Sequence, residues 1–148
     1  MKPLRSLLCC VFVLSSVPSL GWADEPSLLD WAQRRVDTAL VKPLAAQQEK
    51  RSRFSRERQP PRERRVRITQ ATTSVDKKGR AFVPFAIDAR FSGDNWREND
   101  IVGCVYRGSG ELYVTRGNEH YPASFMLGKD VSAVPGVCEA APPSPPSS

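Results

Sequence analysis

Ile101-Val102-Gly103-Cys104-Val105-Tyr106 runs through Arg107-Gly108-Ser109-Gly110 into Glu111-Leu112-Tyr113-Val114-Thr115. The first six residues are apolar and rich in β-branched side chains, the composition of a buried strand. Gly108-Ser109-Gly110 is a tight connection, and the residues after it alternate polar and apolar with the period of a half-buried strand. Together they predict a β-hairpin. Upstream, Val66-Arg67-Ile68-Thr69 alternates, β-branched residues continue to Val75, and Asp76-Lys77-Lys78-Gly79 reads as a turn. Arg80 to Phe91 is a second extended run containing Phe82, Phe85, Ile87 and Phe91. Pro84 places that run at a sheet edge or a bulge, because proline offers no N–H to a ladder. Ser92-Gly93-Asp94-Asn95 turns again, as does Gly117-Asn118, and Tyr121 to Leu127 reads as a further short strand. Turns spaced by about 8–12 residues point to a small antiparallel sandwich or barrel, covering residues 66–139.

Residues 24–49 read as an amphipathic helix, which makes the fold class α+β, mainly β with an N-terminal helix. Ser27, with Asp30 three residues on, has a capping-box pattern. On a helical wheel Leu28, Leu29, Ala32, Val36, Ala39 and Leu40 fall within an arc of about 120°. Asp30, Arg34, Asp37 and Thr38 lie opposite, and Val41 is the outlier. Pro43 is expected to end or kink the helix by removing a hydrogen bond to the preceding turn. The polar face is not strongly cationic, which favours packing on protein over lying on a lipid surface.

Between helix and sheet lies KRSRFSRERQPPRERRVR, residues 50–67, with nine Lys or Arg against Glu57 and Glu63. From Ile68 to the end there are eight basic and nine acidic residues, so the net charge of +6 resides in this segment. With Phe54 as its only aromatic and Pro60-Pro61 inside it, it cannot bury enough apolar surface to offset its ordering entropy. It reads as a mobile or weakly helical linker over 50–65. Lys50, Arg51, Arg53, Arg56, Arg58, Arg62, Arg64, Arg65 and Arg67 form a candidate stripe for an anionic surface, each worth about 1 kcal/mol near an anionic membrane.

Residues 1–23 have the order of a cleavable secretory leader: Lys2 and Arg5, an apolar run from Leu7 to Leu14, then Gly21-Trp22-Ala23. The apolar run is shorter than the roughly 18–20 residues of a membrane span. Cys9 follows Leu8 and Cys10 follows Cys9, which does not suit lipid attachment. Removing the leader leaves Cys104 and Cys138, and two cysteines in an exported chain most simply form one disulfide. Closing a loop of about 35 residues stabilises a fold by roughly 3–4 kcal/mol. The other readings are two unpaired thiols or a zinc site, the latter short of four ligands. Residues 140–148, AAPPSPPSS, read as a disordered tail.

Catalytic patterns are weak. His120 is the only histidine, sits in an expected turn, and has no nucleophile elbow to serve. Asp88 stands out because it lies inside an apolar run. It either faces solvent, pairs with Arg90, or joins a second carboxylate in a cell-wall or polysaccharide hydrolase. Asp94 to Asp100 concentrates oxygen ligands without the EF-hand spacing, so a polar turn with Trp96 anchored on the core is the preferred reading there. No phosphate-cradling loop precedes a helix, so neither a nucleotide nor any other cofactor is expected.

These features point to a periplasmic or secreted, non-catalytic binding protein: an envelope accessory, an inhibitor or an immunity-type partner. Its partner would be a protein or an envelope polymer. Trp96, Tyr113 and Tyr121 are the candidate contact residues, since aromatics often anchor interfaces; Tyr106 fits core packing better. The alternatives are a tether to anionic lipid or polysaccharide through residues 50–67, and the hydrolase using Asp88. Thiol labelling of the unfolded, unreduced mature protein should detect no free sulfhydryl. Two labels per chain would sink the disulfide.

Overall fold

A computed structural model describes residues 27–54, 61–70 and 72–143. The leader at 1–23, Arg56 and Arg58 lie outside the described residues. The chain runs from α1 (Leu28–Val36) through a π-helical turn (Asp37–Val41) into α2 (Lys42–Phe54). Six strands follow: β1 (Arg62–Ile68), β2 (Ser74–Val75), β3 (Ala81–Phe91), β4 (Arg97–Tyr106), β5 (Leu112–Arg116) and β6 (Glu119–Pro122). A 3-10 helix (Ala123–Leu127) follows β6. The strands form one antiparallel sheet in the order β1-β3-β4-β5-β6, with β2 also on β3. The α+β class with one disulfide therefore holds, but the helix takes the place of a second sheet.

Ser27 caps the helix, its hydroxyl accepting the Asp30 N–H at 3.2 Å. Pro43 does not end it. The π turn sits directly upstream, and the Lys42 N–H reaches back five residues to the Asp37 carbonyl. That wider turn makes room where the proline ring would otherwise press on the preceding turn. It also explains Val41, the outlier of regular helical spacing. One extra residue per turn rotates Val41 inward, and Ala32, Val36, Leu40, Val41 and Leu44 are all buried.

These side chains pack on one sheet face against Val83, Phe85, Ile87, Ile101, Val105, Leu112 and Val114. Burying a side chain such as Val36 or Leu40 contributes about 1.5–3 kcal/mol. The expected hairpin is the β4–β5 pair, with Cys104 opposite Tyr113. Arg35 ties the helix to its turn by donating to the Gly110 carbonyl at 2.9 Å. The hairpin demands glycine at position 103. A Cβ there would collide with the Tyr113 carbonyl oxygen and come within 2.8 Å of Phe85 Cζ.

Three expectations change. Pro84 lies in β3, which is central, with β4 on one side and β1 and β2 on the other. The Pro84 carbonyl accepts from the Thr69 N–H, so the proline nitrogen points to that same side. There the partner strand breaks between Ile68 and Ser74, and no ladder bond to β4 is lost. Tyr121 to Leu127 is split between β6 and the 3-10 helix rather than forming one strand. The linker expected over 50–65 is regular at both ends, because α2 continues to Phe54 and β1 begins at Arg62, while residues 55–60 lie outside the described residues.

The second sheet face is covered at one end by a strap, residues 128–141. Val137 is buried there with Phe82, Cys104 and Tyr106, and Val134, Cys138 and Tyr113 pack around them. Several links hold the strap, the Val134 N–H to the His120 carbonyl at 2.8 Å among them. Cys138 is bonded to Cys104. The Cys138 N–H donates to the Tyr106 oxygen at 3.1 Å, and the Tyr106 hydroxyl donates to Asp76 at 2.8 Å. Ala140 bridges Asp76, and the Ala141 N–H reaches the Val75 carbonyl. The expected tail is thus ordered at its start, because residues 140 and 141 extend the β2 pairing. Burial acts to raise the pKa of Asp76, but the Arg80 and Lys78 N–H groups, the Tyr106 hydroxyl and the Arg80 charge outweigh it and hold it below the usual value.

Gly103→Ala should lower unfolding stability by about 1–3 kcal/mol, the range for overpacking a tight site. Urea melts of the oxidised protein would measure it. A variant as stable as the parent would show that β4 and β5 do not approach as closely as described.

Candidate partner-binding face

The half of the second face left open by the strap is built from β1, β3 and the start of β4. Its chemistry begins with a register irregularity. Ile87 pairs with Ile101 and Ala89 with Arg97, so β4 must bulge between them. Asn99 sits in the bulge with φ of 60°, in the left-handed region that asparagine tolerates. Its freed N–H donates to the Asp88 carboxylate at 3.1 Å. Asp88 is 1 % exposed, and Arg67 and Arg65 stand over it at 3.3 and 3.6 Å. Burial alone would raise the Asp88 pKa; the Asn99 N–H, Arg67 and Arg65 together pull it below the ordinary carboxylate value. That is the reverse of what a proton-donating carboxyl needs. Asp88 neither faces solvent nor pairs with Arg90, which binds Glu63 at 2.6 Å instead.

Above this buried carboxylate lies Trp96. The guanidinium carbons of Arg65 and Arg90 sit 4.3 and 4.6 Å from its ring centre. Trp96 is therefore anchored on arginines of the open face and not on the apolar core. Such stacking is worth about 0.5–1 kcal/mol per pair where solvent reaches it. Val102, on the same half of the face, is 38 % exposed. The result is a surface of aromatic, guanidinium and aliphatic groups whose positions are set by a carboxylate beneath them.

The other candidate residues do not join it. Tyr113 shares the face but lies at the strap end, edge-on to Tyr106 at 5.7 Å, with its hydroxyl on Glu111. Tyr121 points to the helix face, stacked on Phe125 at 4.4 Å. His120 lies in β6, its ring nitrogen 3.0 Å from the Thr115 hydroxyl, and is not a free turn residue.

The described members of the cationic stripe are also divided. Arg62 and Arg64 turn to the helix side and both bind Asp100, Arg64 at 3.0 Å. Arg65 and Arg67 take the opposite face with Asp88. Strand alternation makes this split, since neighbouring residues point to opposite sides. Lys50, Arg51 and Arg53 are exposed on α2. Sequence reasoning missed Arg90 as a partner of Trp96 and Asn99 as a partner of Asp88; the apolar surroundings of Asp88 were the one readable signal. Among the described residues no helix is long and apolar enough to cross a membrane. Comparison with protein-family models, with curated proteins and with solved structures finds no match.

Tyr113 supplies a titration test of the strap end. Burial first, then the Glu111 carboxylate, push its pKa from 10.0 to about 12. The fold therefore favours the protonated phenol. Its contribution is complete below pH 10 and disappears as pH rises through about 12. The urea midpoint should fall across that window, and Tyr113→Phe should make the fall shallower. A midpoint equally pH-dependent in parent and variant would show that Tyr113 is not the group responsible.

Proposed function

We propose that the mature chain is a small exported protein that binds a protein or envelope polymer without catalysing a reaction on it. The leader-like residues 1–23 and the Cys104–Cys138 bond support a periplasmic or secreted site of action. One observation carries the binding reading. The strap seals half of the second sheet face, while the other half presents Trp96 stacked on Arg65 and Arg90 with Val102 open to solvent. Tryptophan and arginine are the residue types that most often dominate interface energetics. Their mutual stacking, and the hold of Asp88 on Arg65, restrict these side chains before any partner arrives. Less ordering entropy is then lost on association. An inhibitor, an envelope-assembly accessory and an immunity-type partner would each use such a surface.

The test compares capture from an envelope extract by immobilised, oxidised parent protein and by Trp96→Ser and the double variant Trp96→Ser/Val102→Glu. Both positions are solvent-accessible, so thermal midpoints should move by only a few degrees. Components retained by the parent should be lost with the double variant and reduced with the single one. Equal recovery of the same components by all three proteins would refute this face as the binding surface.

A further inference from the structure

We propose that the C-terminal end of α2 docks on an anionic lipid bilayer, with Phe54 entering the interface and Lys50, Arg51 and Arg53 meeting the headgroups. Leu44 is the last buried side chain of the helix. Gln47, which donates to the Leu127 carbonyl at 2.9 Å, is the last one hydrogen-bonded to the rest of the molecule among the described residues. From Leu44 to Phe54 the helix advances about 15 Å at 1.5 Å per residue, so its end projects from the packed body. Phe54 is 85 % exposed, the most exposed of the large hydrophobic side chains among the described residues.

Its setting is cationic. At about 100° per residue, Phe54 falls between Lys50 and Arg51 on the helix surface, and these three line a shallow depression with Gln47. Arg53 flanks them, bonded to Glu49 at 2.7 Å and still largely exposed. Arg62, Arg64, Arg65 and Arg67 are engaged with Asp100 and Asp88. The helix end is therefore the described part of the basic segment that keeps its charge outward. An exposed aromatic ringed by cations matches a bilayer surface, which offers negative headgroups and an apolar layer at adjacent depths. A dissolved polyanion offers the charge without that layer.

Sedimentation of the oxidised mature chain with vesicles tests this. One set is an equal mixture of phosphatidylglycerol and phosphatidylcholine, the other phosphatidylcholine alone; dextran sulfate serves as a polyanion without acyl chains. Binding should occur on the anionic vesicles, be weak on the neutral ones, and fall steeply with salt. Phe54→Ala should weaken it about tenfold, as expected for partial loss of a buried aromatic. The triple variant Lys50→Gln/Arg51→Gln/Arg53→Gln should weaken it about a hundredfold, roughly fivefold per charge. None of the four side chains is buried, so thermal melts should match the parent. Failure to prefer anionic over neutral vesicles would overturn the proposal. So would vesicle binding that Phe54→Ala leaves intact, or dextran sulfate competing fully while Phe54→Ala has no effect.

Discussion

Two carboxylates decide what the arginine-rich segment becomes. A strand with four arginines in seven residues repels itself and has no reason to form in water. Asp100 on the helix side holds Arg62 and Arg64, and Asp88 on the other side holds Arg65 and Arg67. Alternating directions along β1 deliver one pair of guanidiniums to each carboxylate, so the repulsion within each pair is offset on both faces at once. Removing one member of a buried pair is costly because the other is left uncompensated. Asp88 is further secured by the Asn99 N–H, which links the strand pairing of β1 to the bulge of β4. The open face inherits its order from this arrangement, since Arg65 spans from Asp88 below to Trp96 above.

The two faces of the sheet are closed by different means. The helix covers one with aliphatic side chains and needs its π turn to bring Val41 and Leu44 into line. The strap covers only part of the other and is too short to bury much. It relies on the disulfide and on the relay from the Cys138 N–H through Tyr106 to Asp76. A small domain with little core commonly gains such covalent support. The consequence is an asymmetric molecule with one sealed face and one face half open.

Much of this was legible along the chain. Local patterns reported local structure: the Ser27 cap, the Asp76–Gly79 turn, the glycine-rich connection of the β4–β5 hairpin, and the pairing of the only two cysteines beyond the leader-like segment. Asp88 was conspicuous because a carboxylate inside an apolar strand must find partners. Its partners were hidden, because Arg65, Arg67 and Asn99 are distant in sequence and meet it only through the register of three strands. Trp96 was noticed as an aromatic, but its stacking on Arg65 and Arg90 depends on the same register. Composition misjudged the part of the basic segment that forms β1, since counting charges does not say which carboxylates lie across the sheet.

The sequence by itself determined the order of helix and strands, the turns between them and the one disulfide, because each follows from backbone preference, hydrophobic period or the count of a residue type. Tertiary structure alone decided that Pro84 is tolerated in a central strand, that β1 begins at Arg62, and that Trp96 belongs to the open face. In each case the outcome rests on what stands opposite: a break in the neighbouring strand for Pro84, the carboxylates of Asp88 and Asp100 for the arginines, and guanidiniums for the indole. Those neighbours are fixed by strand register, a property of the folded sheet that no local stretch of chain contains.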